Sequence, residues 1–247
     1  VTAAPLLHVR GLSKTFGTLK ALDGVDLAVG AGTFHGLIGP NGSGKSTLLK
    51  AIAGGYLPES GTVSFDGRDI TTAAPYERVR AGMSMKFQTA TVLPSLSVHD
   101  NVLLALQADQ SPWSLLRSTT RRAMAAEVAN VLERFRLTER ADDLAGELNH
   151  GEQQWLEIAM ALAPKPKLLL LDEPTGGMSP EERRVTGELL RSVKSVCTVI
   201  IVEHDLDFVR EICDQLTVID QGCLLGTGTV EQIQRLPKVQ EVYTARV

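Results

Sequence analysis

Cysteine is scarce. Cys197, Cys213 and Cys223 are the only three, with no C-x-x-C spacing and no histidines placed to complete a zinc site. That pattern excludes a disulfide framework, and the three are expected to be small buried hydrophobes in a reducing compartment. Long apolar runs are also missing: no stretch approaches the roughly 20 residues needed to cross a bilayer. The first residues show no charged segment followed by an apolar one, so no export signal is expected. Work at a membrane would then go through other chains. Positive charge is not in excess either. A net charge of −4 argues against non-specific nucleic-acid binding, and no nucleic-acid partner is expected. Repeats and low-complexity linkers are absent, which leaves 247 residues for one large domain or a domain with a sizeable insertion.

What is present is a stretch around which the rest can be read. Gly39-Pro40-Asn41-Gly42-Ser43-Gly44-Lys45-Ser46-Thr47 fits G-x-x-x-x-G-K-[ST]. The glycines let the backbone turn its N–H groups inward, where a β-carbon would obstruct a phosphate. Lys45 can reach β- and γ-phosphates, and the Ser46 hydroxyl can hold Mg²⁺. Phe34 to Ile38 reads as a buried strand before the loop, and Ser46 to Ala53 as an apolar helix after it. The positive end of that helix would face the anion. Strand, loop and helix together mark a nucleoside triphosphate site.

Leu6–Arg10, Val25–Val29 and Thr62–Asp66 are short, partly alternating segments that suggest an antiparallel sheet with one wet face. Between the first two lies Phe16 beside Gly17, a ring that could stack on a purine base or simply pack at the edge of the core. Ser84–Phe87 reads as a strand ending at Gln88. From Val98 to about Leu162 the pattern turns helical; over Ala123–Leu137, Met124, Val128, Val131, Leu132 and Phe135 share one face. Gln107–Ser118, with Pro112, reads as a loop.

Lys167–Pro174 resumes the core. Its leucines, Leu168 to Leu171, fit a central parallel strand buried on both faces, and Asp172 and Glu173 arrive where that strand emerges. Asp172 fits the acid that holds Mg²⁺ together with Ser46. Glu173, pointing elsewhere, could orient or deprotonate a water for attack on the γ-phosphate. Ser179 reads as the N-cap of a helix, with Pro180 at its first position and Glu182 closing a capping box. Thr198–Val202 is a second buried strand, ending in Glu203, His204 and Asp205; Leu216–Ile219 is a further strand, with a turn at Gln221-Gly222. Leu148–Gln154 opens a helix whose polar start offers free N–H groups to an anion.

The order of phosphate loop, Gln88, Leu148–Gln154, Asp172-Glu173-Pro174 and His204 resembles the ATPase subunit of an ABC transporter over nearly the whole chain. The resemblance implies an α/β P-loop NTPase of the ABC ATPase type. Its RecA-like parallel-sheet core would carry an antiparallel β subdomain and an inserted α-helical subdomain. Residues 1–247 would form a single domain, with core at 1–88 and about 165–247 and the helical part at about 89–164. It implies ATP and Mg²⁺ as cofactors, and a homodimer, or a heterodimer with a sister ATPase, sandwiching ATP at its interface. Gly39 to Thr47 of one copy would face Asn149, Gly151 and Glu152 of the other. Phe16 would stack on adenine, Gln88 would sense Mg²⁺ and the attacking water, and His204 would contact the γ-phosphate. Two transmembrane permease subunits, an extracytoplasmic solute-binding protein acting indirectly, and a peripheral place at the cytoplasmic membrane face follow from the same likeness.

Within the family the chain is most similar to ATPases of branched-chain amino acid uptake, and among them to the urea and short-chain amide branch. Two positions depart from the common pattern. Asn149 stands where a Ser is usual, and Ser179 where most relatives carry an Asp. A non-transport ABC ATPase serving DNA repair or translation is the alternative, and a nucleotide kinase on the same loop a more distant one. The first usually carries paired cassettes or coiled-coil insertions, which this sequence lacks.

Overall fold

A computed structural model describes residues 4–86, 92–108 and 118–239, the first six of the last stretch (118–123) by their backbone alone. Gln88, the expected strand end at Phe87 and most of the Gln107–Ser118 loop lie outside the described residues.

The chain opens with a long hairpin, β1 (Leu7–Phe16) and β2 (Leu19–Val29), turned at Gly17-Thr18. Two separate short strands were expected here. Register shifts at Val9/Leu12, Leu12/Lys14 and Lys14/Thr15 break the alternation in β1, which is why its second half does not read as strand in sequence. With β4 (Ser60–Phe65) and the two-residue β5 (Arg68–Asp69), the hairpin forms an antiparallel sheet in the order β2-β1-β4-β5. Toward its end β2 alternates buried and exposed residues, as a sheet with one wet face requires.

The second sheet runs β10-β9-β3-β8-β7-β6. Its members are β3 (Phe34–Ile38), β6 (Met83–Lys86), β7 (Leu168–Asp172), β8 (Thr198–Val202), β9 (Gln215–Asp220) and β10 (Cys223–Gly228). The pairs from β9 through β6 are parallel, and β10 adds an antiparallel edge. Cys223, expected to be buried, is exposed because it starts this edge strand, whereas Cys197 and Cys213 are buried.

The period of two along β7 and β8 divides the interior. Leu168, Leu170, Ile200 and Val202 face a core shared with the antiparallel sheet and with α1 (Lys45–Ala53). Leu169, Leu171, Val199 and Ile201 face a second core closed by the helices of the middle segment. Those helices are α3 (Val98–Gln107), α4 (Ser118–Arg134) and α5 (His150–Leu162), which follow the short α2 (Pro75–Arg80). Of the expected apolar stripe, Met124, Val128, Leu132 and Phe135 are buried and Val131 is partly buried against the same core, although α4 stops at Arg134 and Arg136 turns to φ 56°. Beyond β7 come α6 (Pro180–Ser192), α7 (Leu206–Ile212) and α8 (Val230–Gln234). Ser179 caps α6, its Oγ accepting from Glu182 N while Glu182 accepts from Ser179 N at 2.8 Å. That is the capping box read from sequence.

Candidate functional site

The loop from Gly39 to Thr47 leaves the carboxyl end of β3 and feeds α1, so it crosses the edge of the parallel sheet where open α/β folds bind ligands. Two glycines there are required by space. A β-carbon on Gly39 would stand 2.0 Å from the Ile219 carbonyl, and one on Gly44 would stand 2.4 Å from that of Ala21. Their φ values of 151° and 105° are in any case ones that side chains rarely adopt. The turn after β9 braces the loop from behind, since Gly222 N donates to Ser43 O at 2.9 Å. The result is a cavity of about 710 Å³ lined by Asn41 through Thr47, by Phe16, Leu19, Lys20 and Ala21, and by Glu173, Gln221 and Gly222.

Lys45 folds across the loop and donates from Nζ to Gly39 O (2.9 Å) and Pro40 O (2.8 Å). Burial pulls its pKa below the ordinary lysine value, while Glu173 and Asp172 work in the opposite direction. A cation held by carbonyls at the mouth of a glycine cradle is poised to exchange them for phosphate oxygens. Beside it, Ser46 Oγ donates to Asp172 Oδ1 at 3.0 Å. Asp172 is fully buried, and burial raises its pKa above the ordinary carboxylate range. Its second oxygen, Oδ2, has no hydrogen-bond partner among the described residues. A hydroxyl and a buried carboxylate oxygen left over at the edge of an anion cradle suit Mg²⁺, which prefers a few hard oxygens and keeps the rest of its shell for phosphate and water. The structure brings Lys45, Ser46 and Asp172 together here.

Glu173 follows in an unusual conformation. Its φ is 48°, left-handed for a residue with a side chain, which costs roughly 1–2 kcal/mol and needs support from its surroundings. The support is visible: Glu173 N donates to Val202 O at 2.9 Å, and Glu173 O accepts from Gly176 N at 3.1 Å. This turn separates the two neighbouring acids, so that Asp172 stays in the sheet while Glu173 lines the cavity. His204 Nδ1 lies 3.9 Å from Glu173 Oε1 and 3.8 Å from Glu203 Oε2, so its position after β8 brings it to the acid.

Phe16, half-exposed at the end of β1, forms one wall. Its ring and that of Tyr56 form a T-shaped pair with centroids 5.1 Å apart, and Lys14 Nζ sits 5.5 Å from its centre.

Asn149, Gly151 and Glu152 are not brought to this cavity within the chain; none is among its lining residues. They form the tip of α5, where Asn149 is the N-cap: its Oδ1 accepts from Glu152 N (2.9 Å) and Glu152 Oε2 accepts from Asn149 N (3.1 Å). Glu152 also lies 3.6 Å from Arg140. The cap uses the carbonyl end of the Asn149 amide and leaves the N–H₂ end as a donor, which reconciles capping with an anion contact. Gln88 lies outside the described residues.

Sequence reasoning missed Glu203. This carboxylate is fully buried, its pKa raised by burial, and it accepts from Thr175 N (3.0 Å), Thr175 Oγ1 (2.6 Å) and His204 N (3.2 Å). It thereby pins the loop after Glu173 to the end of β8. An acid at the end of a fully buried strand was the available signal. Leu19, Lys20, Ala21 and Gln221 were missed as well, because they reach the cavity only through the hairpin and the β9–β10 turn.

The sequence profile of the ABC transporter family matches residues 22–176. The high-affinity branched-chain amino acid transport ATP-binding protein BraF of Pseudomonas aeruginosa is 35% identical over 97% of each chain. LivG of Escherichia coli K12, of the same description, is 34% identical over 97% of each. A nucleotide-free ATP-binding cassette from an ABC transporter superposes with a TM-score of 0.85 at 34% identity, covering 97% of this chain and 98% of the other. An ATP-binding cassette in its ADP conformation superposes with a TM-score of 0.87 at 32% identity, covering 99% and 100%. With the cradle, the paired acids and the two-sheet architecture already in place, these likenesses assign the chain to the ABC transporter family, as an ATP-hydrolysing subunit of a transporter.

Proposed function

We propose that this chain is the motor of an importer for a small polar solute, either a branched-chain amino acid or urea and short-chain amides, and that it works as a dimer. The observation that carries the reading is the convergence of Lys45, Ser46 and Glu173 from two distant parts of the chain on one glycine-lined cavity, with Asp172 bonded to Ser46 beside it. Lys45 trades its loop carbonyls for the β- and γ-phosphates of ATP. Ser46 and Asp172 would hold Mg²⁺, whose chemistry there is to neutralise phosphate charge. Glu173 orients or deprotonates the attacking water, His204 contacts the γ-phosphate, and Phe16 stacks on the base. Gln88, by the family likeness, senses the metal and the water.

Asn149, Gly151 and Glu152 point to a second chain. They sit on a helix tip that does not line its own cavity, as expected of groups that complete the site of a partner copy. ATP then favours the closed dimer, because the γ-phosphate is gripped from both sides, and hydrolysis removes that differential affinity. The whole chain acts as one such domain, with the helices between about 89 and 164 as the moving part. Membrane subunits convert closing and opening into transport. The segment after Gln88 receives them: Leu93 is exposed, and its backbone is held by the buried Asn101, whose Oδ1 accepts from Leu93 N at 2.8 Å. No helix among the described residues is long and apolar enough to cross a membrane. By the family likeness, passage belongs to those partners and this chain sits on the cytoplasmic face.

The amide branch is favoured by His150 and Trp155 within Leu148–Ile158, while the relatives named above favour branched-chain amino acids. Uptake by a deletion strain, with urea, acetamide and leucine compared, decides between the solutes. Steady-state hydrolysis tests the motor itself. Glu173→Gln is expected to bind ATP yet lose about 100-fold or more in turnover, the scale of a lost general base. Undiminished turnover would remove Glu173 from that role.

A further inference from the structure

We infer that His150 is a positioning residue for hydrolysis: it ties the tip of α5 to the turn that aims Glu173. His150 Nε2 lies 2.9 Å from Gly176 O. A carbonyl only accepts, so Nε2 carries the proton and donates. Gly176 N in turn donates to Glu173 O at 3.1 Å. Two hydrogen bonds in series therefore run from the imidazole to the strained left-handed residue whose carboxylate lines the cavity.

The surroundings fit a built contact rather than a passing one. A β-carbon on Gly177 would come within 3.0 Å of His150 Nε2, and one on Gly151 within 2.4 Å of Glu182 Oε1. The imidazole thus packs directly against the loop at Gly177, and the helix tip against the Glu182 side chain. The loop is gripped from its other side by Glu203 through Thr175. Glu203 is anchored in the sheet, so its grip stays with the core. His150 belongs to the inserted helices, so its grip travels with them.

The consequence rests on the dimer reading above. The tip of α5 serves the partner's nucleotide, whereas Glu173 serves its own. Seating of the tip on the partner's γ-phosphate is then transmitted through His150 and Gly176 to the backbone of Glu173, which makes each site's turnover depend on occupancy of the other. Energetically the tie is an ordinary hydrogen bond at an exposed residue, so removing it is expected to cost about 3- to 10-fold in rate, not the whole activity.

The test uses the full chain and three substitutions. His150→Ala removes the donor and is expected to lower kcat about 3- to 10-fold and bring the Hill coefficient for ATP to near one, with nucleotide affinity and Tm close to wild type. His150→Gln restores an N–H donor and is expected to recover most of both quantities. His150→Phe keeps the ring without the donor and is expected to match His150→Ala. Wild-type kcat and cooperativity in His150→Ala, or in His150→Phe, would overturn the inference. Sedimentation of Glu173→Gln with ATP separates the two layers. If that variant fails to dimerise, the dimer reading falls and this inference with it. If it dimerises while His150→Ala turns over as wild type does, only this inference falls.

Discussion

The cradle and the helix tip are two halves of one proposed site, and they are built on opposite plans. The cradle is contiguous in sequence, spaced by glycines that backbone crowding demands, and positioned by a strand and a helix on either side of it. The tip of α5 is held from afar. Its own cap is local, but beyond the apolar packing of the helix it is tied to the rest by His150 reaching Gly176, by Trp155 Nε1 donating to Thr186 Oγ1 and by a buried ion pair between Lys86 Nζ and Glu157 Oε2 at 3.2 Å. The difference teaches where rigidity and movement reside. A phosphate grip needs fixed geometry, and short-range sterics supply it. A part that closes onto a partner needs a few specific long-range ties, which can shift together.

The comparison can be broken most sharply at Lys45. Lys45→Ala is expected to weaken ATP binding by about 100-fold or more, measured by equilibrium dialysis, since charge-assisted hydrogen bonds are the strong ones. Tight retention of nucleotide would mean that the cradle does not depend on its cation. Next comes the ion pair under the tip. Both side chains are only 1% exposed, so Glu157→Ala is expected to cost about 3–5 kcal/mol by urea denaturation, because it removes one half of a buried ion pair. The double variant Lys86→Met with Glu157→Leu should recover most of that stability. If the single change is as mild as the double, the pair is not what seats α5.

A third test probes β3, the strand that leads into the cradle. His35 on β3 is buried, contacts Thr217 Oγ1 at 2.7 Å through Nε2, and has its pKa pulled by burial from 6.5 to about 4. The unfolded chain therefore takes up this proton before the folded one does. Stability from the neutral imidazole is complete above pH 6.5 and is lost as pH falls toward 4, by roughly 3 kcal/mol in all. The burial-raised pKa values of Asp172 and Glu203 act with the opposite sign on acidification, so the wild type must be compared with His35→Gln. The wild type is expected to lose more stability than the variant between pH 6.5 and pH 4. Parallel curves would contradict a buried neutral His35. Smallest is the cap of α5: Asn149→Ala should cost about 1 kcal/mol in thermal denaturation, and Asn149→Ser nearly nothing while altering turnover. A dimerisation defect in Asn149→Ser would make Asn149 structural.

The same contrast explains what could be read from the chain. Gly39 to Thr47, the leucines before Asp172 and the Ser179 cap are local patterns whose physics fits within a few residues, and the structure places each as read. The second half of β1 was hidden by bulges, and Cys223 by an edge strand with no strong period of its own. Glu203 and His150 were visible as residues, but not as partners. Nothing in a linear pattern says that an acid ending β8 will hold Thr175, or that a histidine opening α5 will meet Gly176. Ties of that kind depend on tertiary packing, and they are the ones that relate the two halves of the site.

Sedimentation of the hydrolysis-deficient Glu173→Gln variant, with and without ATP, bears most directly on the proposal that nucleotide is shared between copies. A nucleotide-dependent dimer retaining an ATP for each chain, lost again when Lys45→Ala is added, is the expected result. A monomer that holds ATP tightly would show that one chain suffices to enclose it.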